Sequence, residues 1–275
     1  MTGNTLRKRG NWASVLAAGI LLTGCTAQGA DGKPAPGSSA PPAAVPTGAG
    51  ATAAPSASST AAASVFTPNA SLVPRTTRAG RALADAVALA PADWGRGYVA
   101  RKPAAGTPGT WAVLGANCRW EREKLPKGVL ANSSRYSELP AGGGKSAVTV
   151  TAVATVHTSA LGADEQLSTT LEEVLRCPQQ QPRSNELITG MNSQGTPFGA
   201  RGNNYADNSV LELGQFTVNG GAAQPYRWMV ARLGTVVVAV SVTAGTGYTE
   251  DDLTTLGGNS LAKMLERIQQ RLKGK

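Results

Sequence analysis

SAVTVTAVATVH, Ser146 to His157, is the stretch whose reading decides the fold. Val148, Val150, Ala152, Ala154 and Val156 share one parity, while Thr149, Thr151, Thr155 and His157 share the other. Successive side chains of a strand point to opposite faces, so the stretch predicts a strand with one buried and one wetter face. Thr235 to Thr243, TVVVAVSVT, is the most apolar segment and predicts a central strand. It forms a hairpin with Tyr226–Arg232 through Leu233-Gly234.

Outward from these strands, Ala163–Arg176 carries a helical stripe of Leu167, Leu171, Val174 and Leu175 and stops at Cys177-Pro178. The Gly-, Asn- and Gln-rich stretch 180–225 offers short strands at Glu186–Met191 and Ser209–Val218. Thr249-Glu250-Asp251-Asp252 is an N-terminal cap for a last helix, with Leu253, Leu261, Leu265, Ile268 and Leu272 inward and Gly257-Gly258 as a candidate bend. Upstream, a helix over Ala79–Leu89 ends at Pro91, followed by strands at Tyr98–Arg101 and Thr110–Glu121. The second would place Cys118 and Trp120 on one side of the sheet. The expected fold is α+β: a mostly antiparallel sheet with helices packed on one face, in one domain over residues 73–275.

The chain has 275 residues, and residues 34–74 carry no charge, being mainly Ala, Pro, Ser, Thr and Gly. Such a segment cannot bury enough surface to offset its backbone entropy, so 25–72 reads as a disordered linker. In front of it, Arg7, Lys8 and Arg9 precede an apolar run from Trp12 to Leu22, and then Leu22-Thr23-Gly24-Cys25. A basic, then apolar, then small-residue order is a secretory signal, too short to span a membrane. This stretch resembles a bacterial lipoprotein signal, which implies cleavage after residue 24 and a diacylglyceryl thioether on Cys25. That places the protein on the outer face of the cytoplasmic membrane, and the Ala, Gly and Pro excess points to a GC-rich, Gram-positive source.

Of the other two cysteines, Cys118 and Cys177 would lie in an oxidising compartment, where a structural disulfide is expected over two free thiols or a redox pair. Three bases and no acid precede Cys25, leaving 23 bases against 17 acids, a net +6 for the mature chain. No run of five or six like charges exists, so a nucleic-acid partner is not expected; attraction to lipid headgroups or acidic wall polymers is physically reasonable but unspecific.

Candidate chemistry is sparse. His157 is the one histidine, and no G-x-S-x-G occurs. It reads as a solvated residue at a strand end. No metal site is expected, since one His and two distant Cys do not make a zinc set. Carboxylates and carbonyls around Asn203-Asn204 and Asp207-Asn208 are a remote calcium candidate, and Gly245-Thr246-Gly247 a remote phosphate cradle. The aromatics Trp111, Trp120, Tyr226 and Trp228 are the candidate ligand cleft, because rings on a sheet face hold sugars, acyl chains or peptides. Lys263, Arg267 and Arg271 form a basic stripe on the last helix.

The pieces Cys118-Arg119-Trp120, Arg232–Val242 and the closing helix resemble a group of actinobacterial lipoproteins of unknown function, and are similar to the PknH-type extracellular sensor domain of mycobacterial kinases. The resemblance implies a central antiparallel sheet flanked by helices, with a cleft used for ligand sensing. The expected function is therefore a lipid-anchored, non-catalytic binding or sensing module of the envelope. It has no cofactor beyond the diacylglycerol on Cys25, and its partners are the membrane and a small molecule, lipid or wall polymer. A cell-envelope hydrolase, or a scaffold for another envelope protein, is the alternative.

Overall fold

The structure, a computed structural model, describes residues 66–200 and 202–274. The signal, Cys25 and the linker up to residue 65 lie outside the described residues. Ten strands follow the chain: β1 (Val99–Ala105), β2 (Thr110–Leu114), β3 (Trp120–Lys124), β4 (Val129–Leu139), β5 (Val148–His157), β6 (Gln180–Arg183), β7 (Glu186–Pro197), β8 (Asn208–Val218), β9 (Gln224–Leu233) and β10 (Val236–Ala244). Eight of them form one antiparallel sheet in the order β1-β4-β5-β10-β9-β8-β7-β6, while β2 and β3 pair as a separate hairpin. The four helices are α1 (Thr77–Val87), α2 (Pro91–Trp94), α3 (Ala160–Arg176) and α4 (Glu250–Leu272).

The alternation in β5 sorts the core. Val148, Val150, Ala152, Ala154 and Val156 join Val236, Val238, Val240 and Val242 of β10 against α1 and α4. Each valine so withdrawn from water contributes on the order of 2 kcal/mol. Helix α1 opens on Thr76, whose Oγ1 accepts from the Ala79 N–H at 3.2 Å. Its buried positions are Gly80, Leu83, Ala84 and Val87. Gly80 allows the helix to lie close on β4, since a Cβ there would stand 2.7 Å from Leu130 Cβ. Arg135 of β4 donates to the Ala88 and Asp85 carbonyls at 3.0 and 2.9 Å, satisfying the orphan acceptors of the helix end. Helix α4 has the expected capping box: Asp252 N–H donates to Thr249 Oγ1 at 3.1 Å, and Thr249 N–H to Asp252 Oδ2 at 2.9 Å. Gly257-Gly258 does not interrupt it.

Helix α3 is the exception to packing on one face. Its Ala163 and Leu167 meet Val210, Val230, Val237 and Ala239, the opposite parity of β8, β9 and β10, with Val153 and Trp228 alongside. The fold is thus α+β and antiparallel, with α1 and α4 on one face and α3 on part of the other.

Other differences have local causes. Residues 110–121 make two short strands, because Asn117 Oδ1 accepts from the Arg119 N–H at 3.1 Å and Cys118 turns the chain at φ 60°. Cys118 therefore has no strand parity to share with Trp120. Strand β7 runs twice the expected length through a register shift between Thr189 and Asn192, where Gly190 sits at φ 60°. The β9–β10 hairpin turns on Gly234 and Thr235, with Gly234 at φ 60° in the first of the two turn positions. Residues 66–72, read as linker, meet the domain: Asn69 N–H donates to the Leu272 carbonyl at 2.8 Å, and Phe66 packs on the core. Among the described residues no helix is long and apolar enough to cross a membrane.

Candidate functional site

The sheet is curled, and the curl makes the site. Arg101 on the β1 edge reaches Glu186 of β7, near the other end of the strand order, at 3.9 Å. The face that curls inward is the one α3 packs on. Helix α3 fills one part of this concavity with Leu167 and Val174. The part it leaves open is a cleft of about 540 Å³ between β1, the start of β5, and β6 to β9. Arg101, Lys102 and Arg183 bring positive charge to it, Glu186 one carboxylate, and Pro103, Ala147, Phe216 and Val218 an apolar wall. Thr149, from the wetter parity of β5, forms part of the lining with Gln224.

Arg183 Nη1 holds Glu186 Oε1 at 2.6 Å. Arg101 is held more loosely, 3.9 Å from Glu138 Oε2 and 3.9 Å from Glu186 Oε1, too far for hydrogen bonds. Phe216 stacks on Tyr226 with centroids 6.5 Å apart and planes at 24°. Behind that pair lies a buried polar cluster under the end of α3. Burial, and then the neighbouring charge of Glu173, push the Glu212 carboxyl up to about 8, against a hydrogen bond from Ser193 Oγ at 3.4 Å. Burial likewise pushes Glu173 up to about 7, against the pull of Arg176 and the Leu114 backbone. The Tyr226 phenol is pushed upward by burial and by Glu212.

The structure distributes the four candidate aromatics over two places, and none of them lines the cleft. Trp111 and Trp120 are on the β2–β3 hairpin, where Trp120 Nε1 donates to Gln180 Oε1 at 2.9 Å. Tyr226 and Trp228 are both on the α3 side of β9; Tyr226 backs the cleft through Phe216, while Trp228 packs with Ala163 and Leu167. Rings two residues apart share a face, but parity cannot say that a helix will cover that face.

Cys118 and Cys177 are bonded, with Cα atoms 5.5 Å apart. The bond ties the β2–β3 turn to the end of α3, helped by Arg176, which donates to the Gly115 and Leu114 carbonyls at 2.9 Å each. His157 is not solvated: it is 4 % exposed, with Nε2 2.7 Å from Gln166 Oε1. The first turns of α3 cover it, and burial pushes the imidazole below its ordinary value despite Gln166 and Glu165.

The remote candidates are consumed locally. Asp207 Oδ2 accepts from Arg232 at 3.0 Å and from the Gly234 N–H at 2.7 Å, and Asn203 closes its own loop through Ala206 and Thr196. Gly245 N–H donates to Ser146 Oγ at 2.8 Å, and the first turn of α4 already carries Glu250, Asp251 and Asp252, which disfavour phosphate. Among the described residues no group of three or more His, Cys, Asp or Glu side chains could hold a metal ion. Two members of the basic stripe turn inward: Lys263 and Arg267 contact Asp93 Oδ1 at 3.2 and 2.5 Å. Burial opposes it, yet the Ala90 N–H and these two cations hold the Asp93 carboxyl below its ordinary value.

The cleft residues Arg101, Lys102, Arg183, Glu186 and Phe216 escape sequence reasoning because the curl brings together strands far apart in order. One signal was present: in β8, Glu212 has the parity of Val210 and Phe216, which marks a carboxylate on a covered face.

No protein-family model matches the chain, and no curated protein matches it. A crystal structure of a Pseudomonas aeruginosa protein of unknown function is similar at 12% identity and a TM-score of 0.30, over 57% of this chain and 94% of that one.

Proposed function

We propose that this protein is a binding or sensing module of the cell envelope, held at the outer face of the cytoplasmic membrane by a lipid on Cys25, and that the cleft inside the curled sheet receives its ligand. The reading makes it an extracytoplasmic lipoprotein of the actinobacterial, PknH-sensor-like kind. The observation that carries it is the cleft: about 540 Å³, with charged, amide and aromatic groups converging on one space. Ligand sites of soluble domains have this size and mixture. The groups best suited to acid–base work are His157 and Glu212, which α3 covers, and Glu173, which α3 carries; none lines the cleft, which favours binding over turnover.

The test is native mass spectrometry of the full chain extracted from its own membrane, compared with Thr149→Trp, which fills the cleft floor. A lipid-sized addition at Cys25 and a second, non-covalent adduct lost in Thr149→Trp are the expected results. An unlipidated Cys25 would overturn the anchor. An adduct retained in the folded variant would overturn the cleft.

A further inference from the structure

The cleft has a polarity that narrows the ligand. Its three cations, Arg101, Lys102 and Arg183, face one carboxylate, Glu186, so the lining is net positive. Glu186 is taken by Arg183 at 2.6 Å, whereas Arg101 stands 3.9 Å from each of its two carboxylates. An arginine with two long ion pairs and a planar fork of donors gains hydrogen bonds by meeting an oxyanion. Phe216 and Val218 form an apolar wall in the same space. Phe216 is backed by the Tyr226 ring, and Val218 is 39 % exposed. A purely polar ligand would leave that wall wet, and a cation would meet three like charges.

We infer that the cleft binds a molecule with one anionic group, a carboxylate or a phosphate, joined to an apolar or aromatic body. The anion meets Arg101, with the exposed Lys102 next to it on β1 adding positive charge, and the body lies on Phe216 and Val218. This inference rests on the reading of the cleft as the ligand site. Binding costs little rearrangement, because Arg101 exchanges two distant carboxylates for one close anion while Arg183 and Glu186 remain paired. The anion contact falls off with salt, and the apolar contact does not.

The experiment uses the full lipid-anchored chain in phosphatidylcholine nanodiscs, with empty nanodiscs subtracted, and reads fluorescence anisotropy of three water-soluble probes. These are 2-naphthoate, 2-naphthyl phosphate and 2-naphthylmethylammonium. Both anions should bind about tenfold or more tighter than the ammonium, a difference near 1.4 kcal/mol. Arg101→Gln and Lys102→Glu should each weaken the anions about fivefold or more and flatten their salt dependence. Phe216→Ala should weaken all three probes alike. Lys102 is exposed, so its variant keeps the test valid if Arg101→Gln fails to fold. Tighter binding of the phosphate or of the carboxylate identifies which head group the site prefers, and either supports the inference. If the ammonium binds as well as the anions and Phe216→Ala still weakens it, the anionic class is wrong and the cleft stands. If no probe binds, or if binding ignores both Phe216→Ala and Lys102→Glu, the cleft is not the ligand site.

Discussion

Glu212→Gln should stabilise the protein, and by an amount that depends on pH. Glu212 is 4 % exposed, faces Glu173, and has its carboxyl pushed up to about 8 from an ordinary 4.5. A carboxyl with a raised folded-state value binds its proton more tightly in the folded than in the unfolded chain. Its contribution is therefore fully present below about pH 4.5 and is lost as pH rises through about 8. Between those limits the wild type loses about 1.4 kcal/mol per pH unit through this group, or about 3 kcal/mol by pH 7. Glutamine mimics the neutral acid and titrates in neither state, so the variant escapes the loss. The stability difference, variant minus wild type, should rise by about 3 kcal/mol between about pH 4 and pH 7, on the order of 5–10 °C in Tm for a domain of this size. Urea unfolding followed by circular dichroism across that pH range measures it. His157 and Glu173 titrate in both proteins and cancel to first order. A difference that stays flat with pH would refute the argument, since it would mean Glu212 is ionised and solvated in the folded state.

Three further outcomes follow from the packing. Reducing the Cys118–Cys177 bond, which closes a 59-residue separation, should cost about 4 kcal/mol in urea unfolding, and an unchanged midpoint would show the loop to be restrained without it. On α4, Gly258→Ala meets nothing within 4 Å and should stabilise by about 0.5–1 kcal/mol through helix propensity, whereas at Gly257 a Cβ falls 2.9 Å from Met229 Sδ and should forfeit that gain. Equal effects at the two glycines by chemical denaturation would contradict the close approach of α4 to β9. Arg267→Ala breaks the contact to Asp93 and a 3.4 Å hydrogen bond to the Val87 carbonyl, and should cost about 1–3 kcal/mol. Arg271→Ala, exposed on the same helix, is the control that a differential scanning measurement should leave near wild type.

Strand β5, the β9–β10 hairpin and helices α1, α3 and α4 were legible in the sequence because their periods of two and 3.6 are written in consecutive residues. The capping box at Thr249 was legible for the same reason: its two partners are three residues apart. Strand β4, with Asn132, Ser134, Tyr136 and Glu138 on its inward parity, was missed because a strand facing a wet concavity carries no apolar alternation there. The hairpin at 110–124 was misread because one left-handed residue, Cys118, divides what otherwise looks like a single strand. The basic stripe at Lys263 and Arg267 is periodic and looks solvated, yet Asp93, 170 and 174 residues earlier, turns it inward.

The site divides along the same line. Sequence by itself determined the long helices α1, α3 and α4 and the strands β5, β9 and β10, which face of β5 is apolar, and how its two domain cysteines pair once a third is set aside. Only the tertiary structure decided that the sheet curls, that α3 covers His157, Trp228 and Glu212, and that Arg101 meets Glu186 across the gap. The physical reason is range. Backbone periodicity and capping act over a few residues, whereas the cleft depends on the accumulated twist of eight strands and on which part of the inner face one helix leaves uncovered.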